Sequence, residues 1–152
     1  MIETPISDFL VPARIAVAEA GDTVAHAATL MAESPTGCVL ITDAGLLVGI
    51  FTERDFLMRV AAGGRDPERT PLGDVMTSGP ETLHADDQIY YAINRMAVGG
   101  YRHVPVLDRA DKPVGVLAVR DVVEHLTEVF SAAEAGELDP ADDPWTDIGG
   151  GG

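Results

Sequence analysis

The chain predicts a mixed α/β (α+β) fold: two β-α-β-β-α units packed sheet to sheet about a pseudo-twofold axis. Three observations predict it. The run Val48 to Asp55 (VGIFTERD) returns as Val114 to Asp121 (VGVLAVRD) at a shift of 66 positions. The same succession of helical and strand-like periodicities surrounds each copy. Each copy has about 60 residues, a size at which one small sheet cannot bury both faces alone and gains from packing on a second.

Upstream, Asp8-Phe9-Leu10 returns as Asp74-Val75-Met76 at the same shift, and Met31-Ala32 as Met96-Ala97 at 65, so the order is preserved. An introductory strand is expected near Ile15 to Val17 and near Glu81 to Leu83. Val24, Ala27, Ala28 and Met31 lie at helical spacing within Thr23 to Glu33. Ile89, Ala92, Ile93 and Met96 do so within Gln88 to Val98, which predicts a helix with one buried stripe in each copy. Cys38 to Ile41 and His103 to Val106 read as short buried strands, followed by turns at Asp43 to Gly45 and Asp108 to Lys112. Second strands follow at Leu47 to Phe51 and Val114 to Leu117. The Arg-Asp pair then opens a second helix, Arg54 to Ala62 in one copy and Arg120 to about Ala133 in the other. The domains are accordingly 6–62 and 73–130, joined by a Gly/Pro-rich, charged linker over 63–72.

The composition narrows the function classes. A single cysteine, Cys38, and no zinc-type Cys/His spacing leave neither a disulfide nor a zinc ion to build the fold. With 10 basic against 25 acidic residues, the formal charge of -15 opposes attraction to nucleic acid and to anionic membranes. No apolar run approaches the roughly 20 residues of a membrane span, and acidic Glu3 follows Met1 where a secretory signal would be basic, so a cytoplasmic protein is expected. The acidity concentrates at the end: Glu128 to Gly152 holds seven acids and no base. Residues 136–152 (GELDPADDPWTDIGGGG) offer little to bury and are expected to be a disordered acidic tail, with Trp145 its one candidate for docking.

The duplicated β-α-β-β-α pattern, the strand His103-Val104-Pro105-Val106-Leu107-Asp108 and the Gly-h-h-Thr-x-x-Asp run at Gly49 to Asp55 resemble the cystathionine β-synthase (CBS) domain family, over about Ile6 to Phe130. The resemblance implies a tandem pair, or Bateman module, with two clefts able to hold AMP, ADP, ATP, an NAD-type nucleotide or S-adenosylmethionine. It further implies that the motif Asp binds ribose hydroxyls, with the Thr three residues earlier beside ribose or phosphate. The chemistry agrees, since one carboxylate accepts both vicinal hydroxyls and is favoured in the first turn of a helix. The same Asp55 reads equally as a helix cap, with Thr52 bonding its backbone N–H, and the two roles can coexist.

In such modules each cleft combines the motif Asp of one copy with the start of the central strand of the other. Thr52 and Asp55 would then face Tyr101, Arg102 and His103, with Thr82 nearby. Arg102 offers a permanent cation for phosphate, His103 a second donor, and Tyr101 an adenine cover. The second cleft would combine Asp121 with Gly37 and Cys38; Ala118 replaces the motif threonine, no cation faces the phosphate, and the cleft is expected weak or empty. Plainer readings stand beside these: Arg102 as a surface ion pair, His103 as a structural histidine, Cys38 as packing.

The expected function is therefore a regulatory, non-catalytic module sensing an adenosine-type ligand, AMP or ATP foremost, the latter with or without Mg²⁺. No permanent cofactor or metal is expected. Its output would pass through a homodimer, formed by the helices that follow each motif, or through an unidentified protein target. A ligand-free dimerisation module is the alternative. A nucleotide-processing enzyme is a further one that no catalytic constellation supports.

Overall fold

A computed structural model describes residues 4–10, 15–34 and 37–134. The expected tail at 136–152, Trp145 included, lies outside the described residues. The chain divides into two compact units, 1–119 and 120–152.

The first unit carries both sheets. Strand β1 (Val17–Glu19), helix α1 (Val24–Glu33), β2 (Cys38–Asp43) and β3 (Leu46–Thr52) are followed by a short α2 (Glu53–Asp55) that runs into a π-wound segment, Phe56–Ala61. Then come β4 (Thr77–Ser78), β5 (Leu83–His84), α3 (Ile89–Gly99), β6 (His103–Leu107) and β7 (Pro113–Ala118). The second unit is described through α4 (Val119–Ala132), whose first residue closes the first unit; Val123, Leu126 and Phe130 are exposed on it. Among the described residues no helix is long and apolar enough to cross a membrane.

The two sheets repeat each other in detail. β1 runs parallel to β2, which pairs antiparallel with β3, and β5, β6 and β7 do the same. Each parallel pair is spanned by a helix, the connection that parallel strands require. The register slips at Ile41/Thr42 in one sheet and at Val106/Leu107, 65 positions on, in the other. The introductory strands sit about two residues later than their expected positions because an aspartate ends each of them. Asp22 accepts the Glu19 N–H at 2.8 Å, and Asp87 accepts the His84 N–H at 2.8 Å.

Alternation along β2 explains how its sheet is buried on both faces. Val39 and Ile41 join Val24, Ala27, Met31, Phe51 and Val60 in a core beneath α1 and the π-wound segment. Cys38, Leu40 and Ile50 face the other way, and Val116 of β7 packs against them, which is the expected contact of sheet on sheet. The β2–β3 turn is closed by Ala44 and Gly45, both at positive φ (52° and 82°), the pair of values a two-residue hairpin needs.

The sequence did not disclose one feature: each copy's leading segment docks on the opposite copy. The turn at Leu72–Asp74 donates from Leu72 to the Asp22 carbonyl at 2.8 Å, and the turn at Ile6–Phe9 donates from Ile6 to the Asp87 carbonyl at 2.8 Å. β4 continues this exchange, lying along β3 with Ile50 opposite Thr77. Gly49 makes the approach feasible, since a Cβ there would meet the Met76 side chain and, at 3.0 Å, the Thr77 carbonyl. The same relation recurs at Gly115, where a Cβ would meet Leu10.

Candidate functional site

The motif end of β3 forms a closed polar knot. Thr52 is extended, and its hydroxyl accepts the Asp55 N–H at 3.2 Å while Asp55 Oδ2 accepts the Thr52 N–H at 3.0 Å. This reciprocal capping box satisfies two N–H groups that a helix start would leave unpaired. It also begins the helix at Glu53, one residue before the expected Arg54. The winding then loosens: Ala62 N–H reaches the Leu57 carbonyl at 3.0 Å, a five-residue step.

Asp55 itself is buried, 8% exposed, and its carboxylate is crowded with donors. Oδ2 also receives the Thr52 hydroxyl at 3.2 Å. Oδ1 receives the Thr77 hydroxyl at 3.2 Å and lies 3.7 Å from Arg59 Nε. Arg59 Nη1 goes on to the carbonyls of Val75 (3.3 Å) and Met76 (2.7 Å). Thr77 and Arg59 were missed in the sequence. Arg59 stands at i+4 from Asp55, a visible signal, whereas Thr77 is 22 positions away and comes near only through the exchange of leading segments.

Thr52 and Asp55 are therefore brought into direct contact. The other expected members of their cleft stand on the second sheet: Thr82 directly precedes β5, and Tyr101, Arg102 and His103 lead into β6. Tyr101 is 42% exposed with its ring against Gly99, Arg102 is exposed, and His103, half-buried, pairs across the ladder with Ala118.

The two strand heads differ in charge. At β6 the Arg102 carbonyl accepts the Val119 N–H at 3.0 Å. At β2 the Gly37 carbonyl accepts the Glu53 N–H at 3.3 Å, so a glutamate stands where the second copy has a valine. The Glu53 carboxylate lies over Gly37: a Cβ there would come within 2.7 Å of Oε1. Cys38 next to it is buried and pairs with Thr52 across the ladder. Asp121 lies in the first turn of α4, in the second unit. Among the described residues no three His, Cys, Asp or Glu side chains are placed to share a metal ion.

Two sheets of matching strand order, exchanged leading segments and a Gly-x-x-Thr-x-x-Asp cap define a tandem α/β repeat. The CBS domain family profile matches residues 6–62 and 72–128, and the chain belongs to that family as a tandem CBS pair. It is 35% identical over 141 residues to the Meiotically up-regulated gene 70 protein of Schizosaccharomyces pombe, covering 88% of this chain and 18% of that protein. The chain thus spans about a fifth of the length of that relative. Among solved structures, a putative signal-transduction protein with CBS domains from Burkholderia ambifaria superposes with a TM-score of 0.74 at 27% identity, over 82% of this chain and 95% of that one. The CBS domain protein PAE2072 from Pyrobaculum aerophilum, complexed with AMP, gives 0.74 at 25% identity, over 86% and 99%.

Proposed function

We propose that this CBS pair is a cytoplasmic, non-catalytic sensor of an adenosine-type ligand, with AMP or ATP, the latter with or without Mg²⁺, as its leading candidates. Asp55 receives the ribose hydroxyls, Thr52 stands beside them, Arg102 and His103 meet the phosphate, Tyr101 covers the adenine, and Thr82 lies nearby. The observation that carries this reading is the buried Asp55 carboxylate, placed where segments of both copies meet. The AMP complex of PAE2072 supports the ligand class. The cleft of Gly37, Cys38 and Asp121 stays weak or empty towards phosphate, because Glu53 adds a negative charge beside Gly37 where Arg102 leads the other strand. Output passes through a homodimer or an unidentified protein target, and exposed Leu57, Met58, Val123, Leu126 and Phe130 on the helices after each motif suit the dimer.

Calorimetric titration tests the reading. Asp55→Ala and Arg102→Ala should each weaken AMP by about ten- to hundredfold, the worth of one charge-assisted hydrogen bond. Asp121→Ala should change it little. Adenosine, which has no phosphate, should be nearly indifferent to Arg102→Ala. Loss of binding in Asp121→Ala with Asp55→Ala unaffected would reverse the cleft assignment.

A further inference from the structure

The Asp55 carboxylate that the proposed ribose would use is not free. A carboxylate has about four acceptor positions. On Oδ2 the Thr52 N–H and hydroxyl already sit at 3.0 and 3.2 Å, both from the helix cap. Oδ1 is taken by the Thr77 hydroxyl at 3.2 Å, with Arg59 Nε 3.7 Å away. A vicinal diol needs two acceptors on a group that is already buried, so something must leave. The cap belongs to the local fold of residues 52–55. Thr77 arrives from elsewhere, on a two-residue strand whose ladder partners on β3 are Gly49 and Ile50, with the Gly79 N–H just beyond it reaching the Val48 carbonyl at 3.1 Å, and it is the donor that can go.

We propose that Thr77 and Asp55 form a latch: in the empty protein Thr77 clasps the carboxylate and holds β4 on β3, and an incoming ribose displaces its hydroxyl. The segment Val75 to Ser78, which also carries the two carbonyls gripped by Arg59, is then the first part of the chain to register occupancy. The displacement exchanges one O–H donor for another at Asp55 and breaks no covalent bond. At the matching position 66 residues earlier the sequence has Val11, whose side chain carries no hydroxyl. The release step rests on the ribose role proposed above; the clasp does not.

The test pairs Thr77→Val with Thr77→Ser in the intact chain, using AMP as the probe. In ligand-free protein, amide exchange at residues 75–78 should rise about tenfold in Thr77→Val and stay near wild type in Thr77→Ser, consistent with one hydrogen bond to a charged group. Thr77→Val should also bind AMP about three- to tenfold more tightly, having no hydroxyl to displace. AMP should raise exchange at 75–78 in wild type but not in Thr77→Val. Equal exchange in all three ligand-free proteins overturns the latch, and weaker AMP binding by Thr77→Val overturns it by making Thr77 a ligand contact. Absence of AMP binding in wild type with the exchange contrast intact overturns the ribose reading and the release step together, leaving the clasp standing.

Discussion

The two copies launch their second helices from the same Arg-Asp pair and use it differently. In the first copy, Thr52 and Asp55 close a capping box, the helix is α-wound for three residues, and a π-wound segment follows. In the second, Ala118 has no hydroxyl with which to cap, and a regular helix of 14 residues follows. The strand heads diverge in the same direction, Arg102 and Val119 at one, Gly37 and Glu53 at the other. Duplication alone therefore predicts two equivalent motif ends, whereas the side chains make them differ in capping and in charge. Two sheets of matching strand order thus diverge through a few substitutions at matched positions.

The sharpest way to break the comparison is Asp55→Ala. It removes the cap, the acceptor for Thr77 and the partner of Arg59 together, so chemical denaturation should show a loss of roughly 2–4 kcal/mol. Asp121→Ala should cost under half as much, and equal losses would mean that the two motifs are energetically alike. Next come the matched glycines. Gly49→Ala drives a Cβ towards the Thr77 backbone carbonyl and should cost about 1–3 kcal/mol. Gly115→Ala first meets the movable Leu10 side chain rather than backbone and should cost less in the same denaturation series. Thr52→Ala should cost about 1 kcal/mol, an ordinary cap loss, and Ala118→Thr could restore up to that amount to the second copy if its geometry matches the first.

The smallest effect concerns His84, whose ring lies 2.9 Å from Asp111 and which has no counterpart in the first copy, where Glu19 stands instead. The hydrogen bond to Asp111, aided by the charges of Asp111, Asp87 and Asp86, raises its pKa above the usual imidazole value. The stabilisation is fully present below the unfolded-state pKa and fades as pH rises through the raised folded value. Proton NMR titration should find the His84 pKa lowered in Asp111→Asn, and an unmoved pKa would dissociate the two groups.

Much of this was legible in the sequence because the repeat doubled every signal. Ile89, Ala92 and Met96 and their counterparts Val24, Ala27 and Met31 bury as the helical spacing requires. Strand cores were equally readable from unbroken apolar runs such as Cys38 to Ile41. The contact between Thr52 and Asp55 was foreseeable because a three-residue spacing is local. What stayed hidden depends on long-range encounter: β4, Thr77 on Asp55, and the docking of Ile6 and Leu72 on the opposite copies. No periodicity in residues 70–78 announces which sheet they will join. The π winding after Asp55 was equally silent, since Phe56 to Ala61 has ordinary helical composition.

The exchange of leading segments also bears on how the chain behaves when it is cut or crowded. Neither copy contains all of its own closing contacts, so separate expression of residues 6–62 or 73–130 should give partly open sheets rather than half a protein. Mixed together, the two halves should find each other and regain the cooperative transition of the intact chain. At high concentration, a leading turn that misses its own partner copy can close on that of a neighbour, so the same contacts that make one chain whole provide a route to reversible strand-swapped pairs.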